Sequence, residues 1–259
     1  MSAPARIKSD VAWSDRQAGN QSLHELASPY IGVAPISYAI TYEPGELPST
    51  YIGIECCEAQ LTLGYPANRN NGGANLESES SFLAGVAETV ERYSAVYATT
   101  SDLQADLQLP ALLPAGGKPF SLEQYEREGF EYTPYDEDSA LWTAAFDPLA
   151  QEDVRVPSSA VFLREFSLEP GMHDYHTSNG LAAGPSLEEA FLSGLLELIE
   201  RDGVMRAWES RWVPPKIDLY SGSRTRKFVE EYASRSNLEY TALDLMPLTG
   251  VPTVLGIVI

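Results

Sequence analysis

Ser178-Asn179-Gly180-Leu181-Ala182-Ala183-Gly184-Pro185-Ser186-Leu187-Glu188-Glu189-Ala190, continuing through Phe191-Leu192-Ser193-Gly194-Leu195-Leu196-Glu197-Leu198-Ile199-Glu200-Arg201-Asp202, is the stretch around which the 259-residue chain is organised. Its Gly-rich opening reads as a turn. Ser186 followed three residues later by Glu189 is a capping box, so a long helix starts there. That helix is apolar nearly all round, the pattern of a buried helix. Glu197, Glu200 and Arg201 recur at spacings of three and four and share one face. Charged groups are almost never fully buried without partners, so these carboxylates need a counter-charge.

The same pattern occurs earlier. Phe82-Leu83-Ala84-Gly85-Val86-Ala87-Glu88-Thr89-Val90-Glu91-Arg92 matches Phe191 to Arg201 at an offset of 109, and Asn71-Gly72 leads the first helix as Asn179-Gly180 leads the second. The chain thus carries an internal duplication of a Gly-rich turn and a Glu-x-x-Glu-Arg helix. Paired, the two helices would bring four carboxylates and two guanidiniums to one cleft. Hard carboxylate oxygens suit Mg2+ and Arg suits phosphate, so a metal-bound nucleoside triphosphate fits. The competing reading is a set of salt bridges along each helix, worth roughly a few tenths of a kcal/mol per pair. The chain has no P-loop, Gly-x-Gly-x-x-Gly fingerprint or kinase motif set, so an ordinary nucleotide fold is not indicated.

The formal charge of −20 and pI near 4.4, with no basic run, exclude a nucleic-acid partner. The N-terminus lacks a signal-peptide core and no apolar run approaches a membrane span, so a cytoplasmic protein with no membrane contact is expected. Cys56 and Cys57 are adjacent and read as reduced residues of a buried strand, with a reactive thiol as the alternative. His173 and His176 could offer two imidazoles to a metal, or form a polar loop.

Around the two helices, residues 1–28 read as an irregular lead-in and 29–259 as one domain of α+β class. Tyr30 to Leu63 alternates as one or two hairpins broken at Pro44-Gly45 and Pro48. Asn68 to Asn75 reads as a turn. On the first helix Leu83, Val86, Val90, Tyr93 and Tyr97 form a core face. The Pro- and Gly-punctuated stretch 103–135 leads to short strands at Leu141–Asp147 and Val154–Pro157. A shorter amphipathic helix covers Thr225 to Ser234, and two strands flank Pro247-Leu248-Thr249-Gly250. The last strand, Thr253 to Ile259, is apolar with no polar tail, so a C-terminal continuation is expected and self-association into a homo-oligomer is plausible.

Glu88 to Tyr93 and Ser178 to Asp202 resemble the YcaO family, whose members carry a Glu-x-x-Glu-Arg-Tyr helix after a Gly-rich turn and a second Ser-Asn-Gly-x-Ala-x-Gly…Glu-Glu-Ala…Glu-x-x-Glu-Arg-Asp helix. The resemblance runs from about Ser28 onward and covers roughly the first two thirds of the family's domain. It implies an ATP- and Mg2+-dependent enzyme that phosphorylates a peptide-bond oxygen, most simply a cyclodehydratase making azolines from Cys, Ser or Thr in a ribosomal precursor peptide. Thioamide- or amidine-forming members, and a degenerate non-catalytic scaffold, are the alternatives. By the same resemblance Glu88, Glu91, Glu197 and Glu200 are Mg2+ ligands, Arg92 and Arg201 contact phosphate, and Ser178, Asn179 and Glu189 belong to the nucleotide site. No catalytic residue is assigned. Partners would be the precursor peptide and a leader-peptide-binding protein.

Overall fold

The computed structural model describes residues 13–40, 49–64, 66–96, 120–134, 142–163, 177–231 and 238–259. These are of mixed α+β class, as expected. In chain order the elements are α1 (Trp13–Leu26), β1 (Ile36–Ile40), β2 (Thr50–Glu55), α2 (Ala59–Leu63), β3 (Asn70–Asn75), α3 (Ser78–Val96) and α4 (Leu122–Tyr125). They continue with β4 (Trp142–Asp147), β5 (Glu152–Pro157), α5 (Leu187–Glu209), α6 (Ser223–Glu231), β6 (Tyr240–Asp244), α7 (Met246–Thr249) and β7 (Val254–Val258). The chain divides into two compact units. One holds Met1–Cys57, Arg69–Glu91 and Asn179–Ile259, the other Glu58–Asn68 and Arg92–Ser178.

In the first unit β1, β2 and β3 form an antiparallel sheet, with Tyr38 opposite Gly53 and Gly53 opposite Gly72. Alternation along β2 turns Ile52 and Ile54 to one face. Ile54 and Val86 of α3 are fully buried, and with Ala34 they form a core flanked by Leu23, Leu26, Phe82 and Val90. Burial of each large aliphatic side chain there contributes roughly 1.5–3 kcal/mol. Ser81, also fully buried, donates to the Thr50 carbonyl at 2.7 Å and so ties α3 to β2.

The expected irregular lead-in is instead helical from Trp13 to Leu26. Its apolar anchors sit at its end, Leu23 and Leu26, which is too little periodicity to read in advance. Contact with α3 supplies the rest: His24 Nε2 lies 2.6 Å from Glu79 Oε1 and its ring stacks on Phe82. The expected turn at 68–75 is instead strand β3, paired with β2 along its whole length from Asn70 to Asn75. A Gly-Asn composition disfavours strands, but the ladder to β2 satisfies the backbone groups that face it, and close packing against α3 admits little else.

Cys56 and Cys57 are free thiols just past the end of β2, the first buried and the second half-buried. Tyr97, His173 and His176 lie outside the described residues.

At the C-terminus β6 pairs with β7, from Tyr240 opposite Val258 to Asp244 opposite Val254. The expected link around Pro247 is the short helix α7. It sits on α5, where Arg206 Nη1 donates to the Leu248 carbonyl at 2.8 Å. The burial expected for α5 is not realised among the described residues. Gly194, Gly203 and Ala207 are buried, but Phe191, Leu192 and Trp208 are 45%, 53% and 78% exposed. Elements of this chain cover one side of that helix, whereas its sequence is apolar on all sides.

In the second unit β4 and β5 form a hairpin, with the Arg155 guanidinium 4.6 Å from the Trp142 ring centre. Thr143 and Ser158 share a 2.7 Å hydrogen bond at its base. Phe120, Tyr125, Phe130 and Tyr132 pack ring against ring around α4.

Replacing Ile54 by Ala should cost about 2–5 kcal/mol in urea unfolding. Val213→Ala, at a position 84% exposed, should stay within about 0.5 kcal/mol. Equal losses at the two positions would move the core elsewhere.

Candidate functional site

The sequence repeat is also a structural repeat. In the first copy the Gly72 amide donates to Glu88 Oε2 at 3.0 Å. In the second the Gly180 amide donates to Glu197 Oε2 at 3.1 Å. Each helix places a glycine one turn before that glutamate, Gly85 in α3 and Gly194 in α5, and each glycine is where the preceding backbone lies on the helix, β3 on Gly85 and the turn at Gly180 on Gly194. A Cβ at Gly85 would stand 3.1 Å from Gly73 N and 3.3 Å from Gly72 C. A Cβ at Gly194 would collide with the Gly180 carbonyl oxygen. Gly180 itself has φ of +87°, a left-handed conformation that glycine adopts without steric cost.

These two helix glycines were not singled out in sequence. Glycine in a helix interior costs about 1 kcal/mol relative to Ala. Its recurrence at one offset in two otherwise strong helices was the available signal.

The remaining candidates fall around these contacts. Ser186 caps α5, its hydroxyl accepting from Glu189 N at 3.2 Å, which is the serine half of the expected capping box. Glu189 is half-buried in the first turn, and Ser178 and Asn179 precede Gly180 in the turn itself. Glu197 Oε1 lies 3.5 Å from Arg201 Nη2, one helical turn on. This pair of an exposed Arg201 and a half-buried Glu197 fits the salt-bridge reading and is worth roughly a few tenths of a kcal/mol. Glu200 is exposed and has no role in that pair, while Glu91 and Arg92 are half-buried on α3.

Each copy thus carries two carboxylates on one helix face, Glu88 and Glu91 on α3 and Glu197 and Glu200 on α5. Among the described residues no group of three or more His, Cys, Asp and Glu side chains comes together to hold a metal. The donor set nevertheless suits Mg2+, a hard cation usually held by one or two carboxylates plus substrate phosphates. A separate groove of about 550 Å³ lies at the far end of α5, between Val204, Trp208 and Trp212 on one side and Leu243, Leu255 and Ile257 on the other. No expected site residue lines it.

Residues 72–259 match the family model described as YcaO cyclodehydratase, ATP- and Mg2+-binding. The chain belongs to the YcaO family. It is 34% identical over 123 residues to a protein of Methanothermobacter thermautotrophicus, covering 45% of this chain and 31% of that one. Among solved structures it resembles a heterocyclase in complex with substrate and cofactor (TM-score 0.70, 24% identity, 99% of this chain and 37% of that chain). It also resembles YcaO from Methanopyrus kandleri bound with AMPPCP and Mg2+ (TM-score 0.55, 19% identity, 88% and 53%). A third similarity is to the heterocyclase TruD (TM-score 0.51, 26% identity, 68% and 28%). The α+β fold expected from sequence is the fold of these structures, and this chain spans about a third to a half of the length of the first two. No described helix is long and apolar enough to cross a membrane.

Ser186→Ala should cost about 1 kcal/mol in urea unfolding, while Ser186→Asp, which keeps the acceptor, should retain most of it. A loss equal in both would mean that the capping contact contributes nothing.

Proposed function

We propose that the chain is the ATP-using part of a YcaO enzyme that activates a peptide-bond oxygen by phosphorylation, with Cys, Ser or Thr of a ribosomal precursor peptide as the residue cyclised. The observation that carries this is the duplicated pattern, two Glu-x-x-Glu-Arg faces whose first carboxylate accepts the amide of a preceding glycine, Gly72 of β3 and Gly180 of a turn. The catalytic domain is taken to span 29–259. Phosphoryl transfer asks for positioning and charge neutralisation more than for covalent help. Glu88, Glu91, Glu197 and Glu200 would hold Mg2+, which neutralises charge developing on the phosphates. Arg92 and Arg201 would take phosphate oxygens, with Ser178, Asn179 and Glu189 on the nucleotide.

In the reaction, the side-chain sulfur or oxygen adds to the preceding carbonyl carbon, giving up its proton to solvent, and the amide oxygen takes up the negative charge. That oxygen accepts the γ-phosphoryl of ATP, releasing ADP. Cleavage of its bond to carbon expels phosphate, and loss of the nitrogen proton closes the C=N bond of the azoline. The substrate loses one water overall. A leader-peptide-binding protein would deliver the precursor.

A second reading, a non-catalytic scaffold for another YcaO chain, is favoured by the exposed apolar side of α5, which calls for a covering surface.

Mg·ATP at about a hundred times its dissociation constant should stabilise the folded chain by about 2.7 kcal/mol. For a chain of this size that raises the melting temperature by about 5–10 °C. Glu200→Gln should abolish the rise. An equal rise in both proteins removes Glu200 from the site, and no rise in a folded wild-type chain favours the scaffold. Loss of one water mass from a precursor peptide separates cyclodehydration from thioamide formation, and its disappearance when the Cys, Ser or Thr is replaced by Ala separates it from an amidine closed by an internal amine.

A further inference from the structure

We propose that Gly85 and Gly194 are positioning residues of the nucleotide site, acting as seats on which the two Gly-containing segments, β3 and the turn at Gly180, are clamped by Glu88 and Glu197. The inference rests on the site reading above. It adds a role that the Glu-x-x-Glu-Arg pattern does not contain.

Each clamp has two parts that depend on each other. The seat is a helix position with no Cβ, which lets the turn backbone reach the helix. At Gly85 the neighbours are Gly72 C, Gly73 N and, at 2.8 Å, Ile54 Cγ1. At Gly194 they are the carbonyl atoms of Gly180. The catch is the carboxylate one turn on, whose Oε2 accepts the turn amide. A carboxylate held by a fixed backbone donor loses rotamer freedom and presents its other oxygen in one direction. Such outer partners of metal-binding groups are typically worth 10–100-fold in metal affinity. The clamp also fixes where the turn ends, and in the second copy that turn carries Ser178 and Asn179. Without the seat, the catch cannot close at 3 Å; without the catch, nothing charge-assisted holds the turn amide.

The first measurement is hydrogen exchange of the Gly72 and Gly180 amides by NMR in the nucleotide-free chain. Gln keeps an acceptor oxygen at the catch and Met does not. Glu197→Gln should therefore leave Gly180 protected, and Glu197→Met should speed its exchange tenfold or more, with Glu88 and Gly72 behaving alike. Exchange unchanged in the Met variants overturns the clamp whatever the nucleotide does.

The second is calorimetric titration of Mg·ATP, with circular dichroism checking the fold. Gly194→Ala retains every proposed ligand yet should weaken binding tenfold or more. Gly203→Ala, on the same helix but packed against Thr249 of α7, should stay within about twofold. Equal binding by Gly194→Ala and wild type overturns the positioning role. A wild-type chain that binds no Mg·ATP overturns both the nucleotide reading and that role, and the exchange data then decide the clamp alone.

Discussion

A backbone segment can lie flat on a helix only where the helix gives up its side chain, and this constraint organises the first unit of the chain. It is met twice, at Gly85 and Gly194. In the first copy it has large consequences. Because β3 must approach α3 at Gly85, β3 is built from Asn and Gly, and because it is so built it depends on the ladder to β2 for its hydrogen bonds. That ladder carries Ile54 into contact with Val86, and the core follows. The polar contact at Glu88 and the apolar contact at Ile54 are thus two results of one close approach.

Both long helices could be read from periodicity and caps. Ser186 begins α5 where the capping pattern put it, and Val86 and Val90 face the core as their spacing required. The repeat was legible because it is written in residue identities. What escaped was structure imposed by neighbours. Asn70 to Asn75 has the composition of a turn and becomes a strand because β2 lies alongside. Trp13 to Leu26 has few apolar positions and becomes a helix that docks through Leu23, Leu26 and the ring of His24. The exposure of Leu192 and Trp208 was illegible for a different reason: an all-round apolar helix states that it needs covering, without stating by what.

The candidate site divides along the same line. Which glutamates and arginines share a helix face follows from spacing alone, since three and four residues make a turn. Which carboxylate oxygen meets which amide does not, because it depends on where a turn 16 or 17 residues away comes to rest. The salt-bridge reading of the motif is met at one pair. Arg201 approaches Glu197 while Glu200, one turn on, stands outside that pair.

The short span of these contacts bears on how the chain folds. Gly72 reaches Glu88 across 16 residues and Gly180 reaches Glu197 across 17, each between a helix and the segment that leads into it. Closing so short a loop has a small entropic penalty, and contacts of low sequence separation are the ones that form fastest. The pairing of Tyr240 with Val258 is comparably local. Bringing residues near 88 together with residues near 197 instead requires closure over more than a hundred residues. Each glycine–glutamate contact is thereby among the first that the folding chain can close, ahead of any that would join its two long helices.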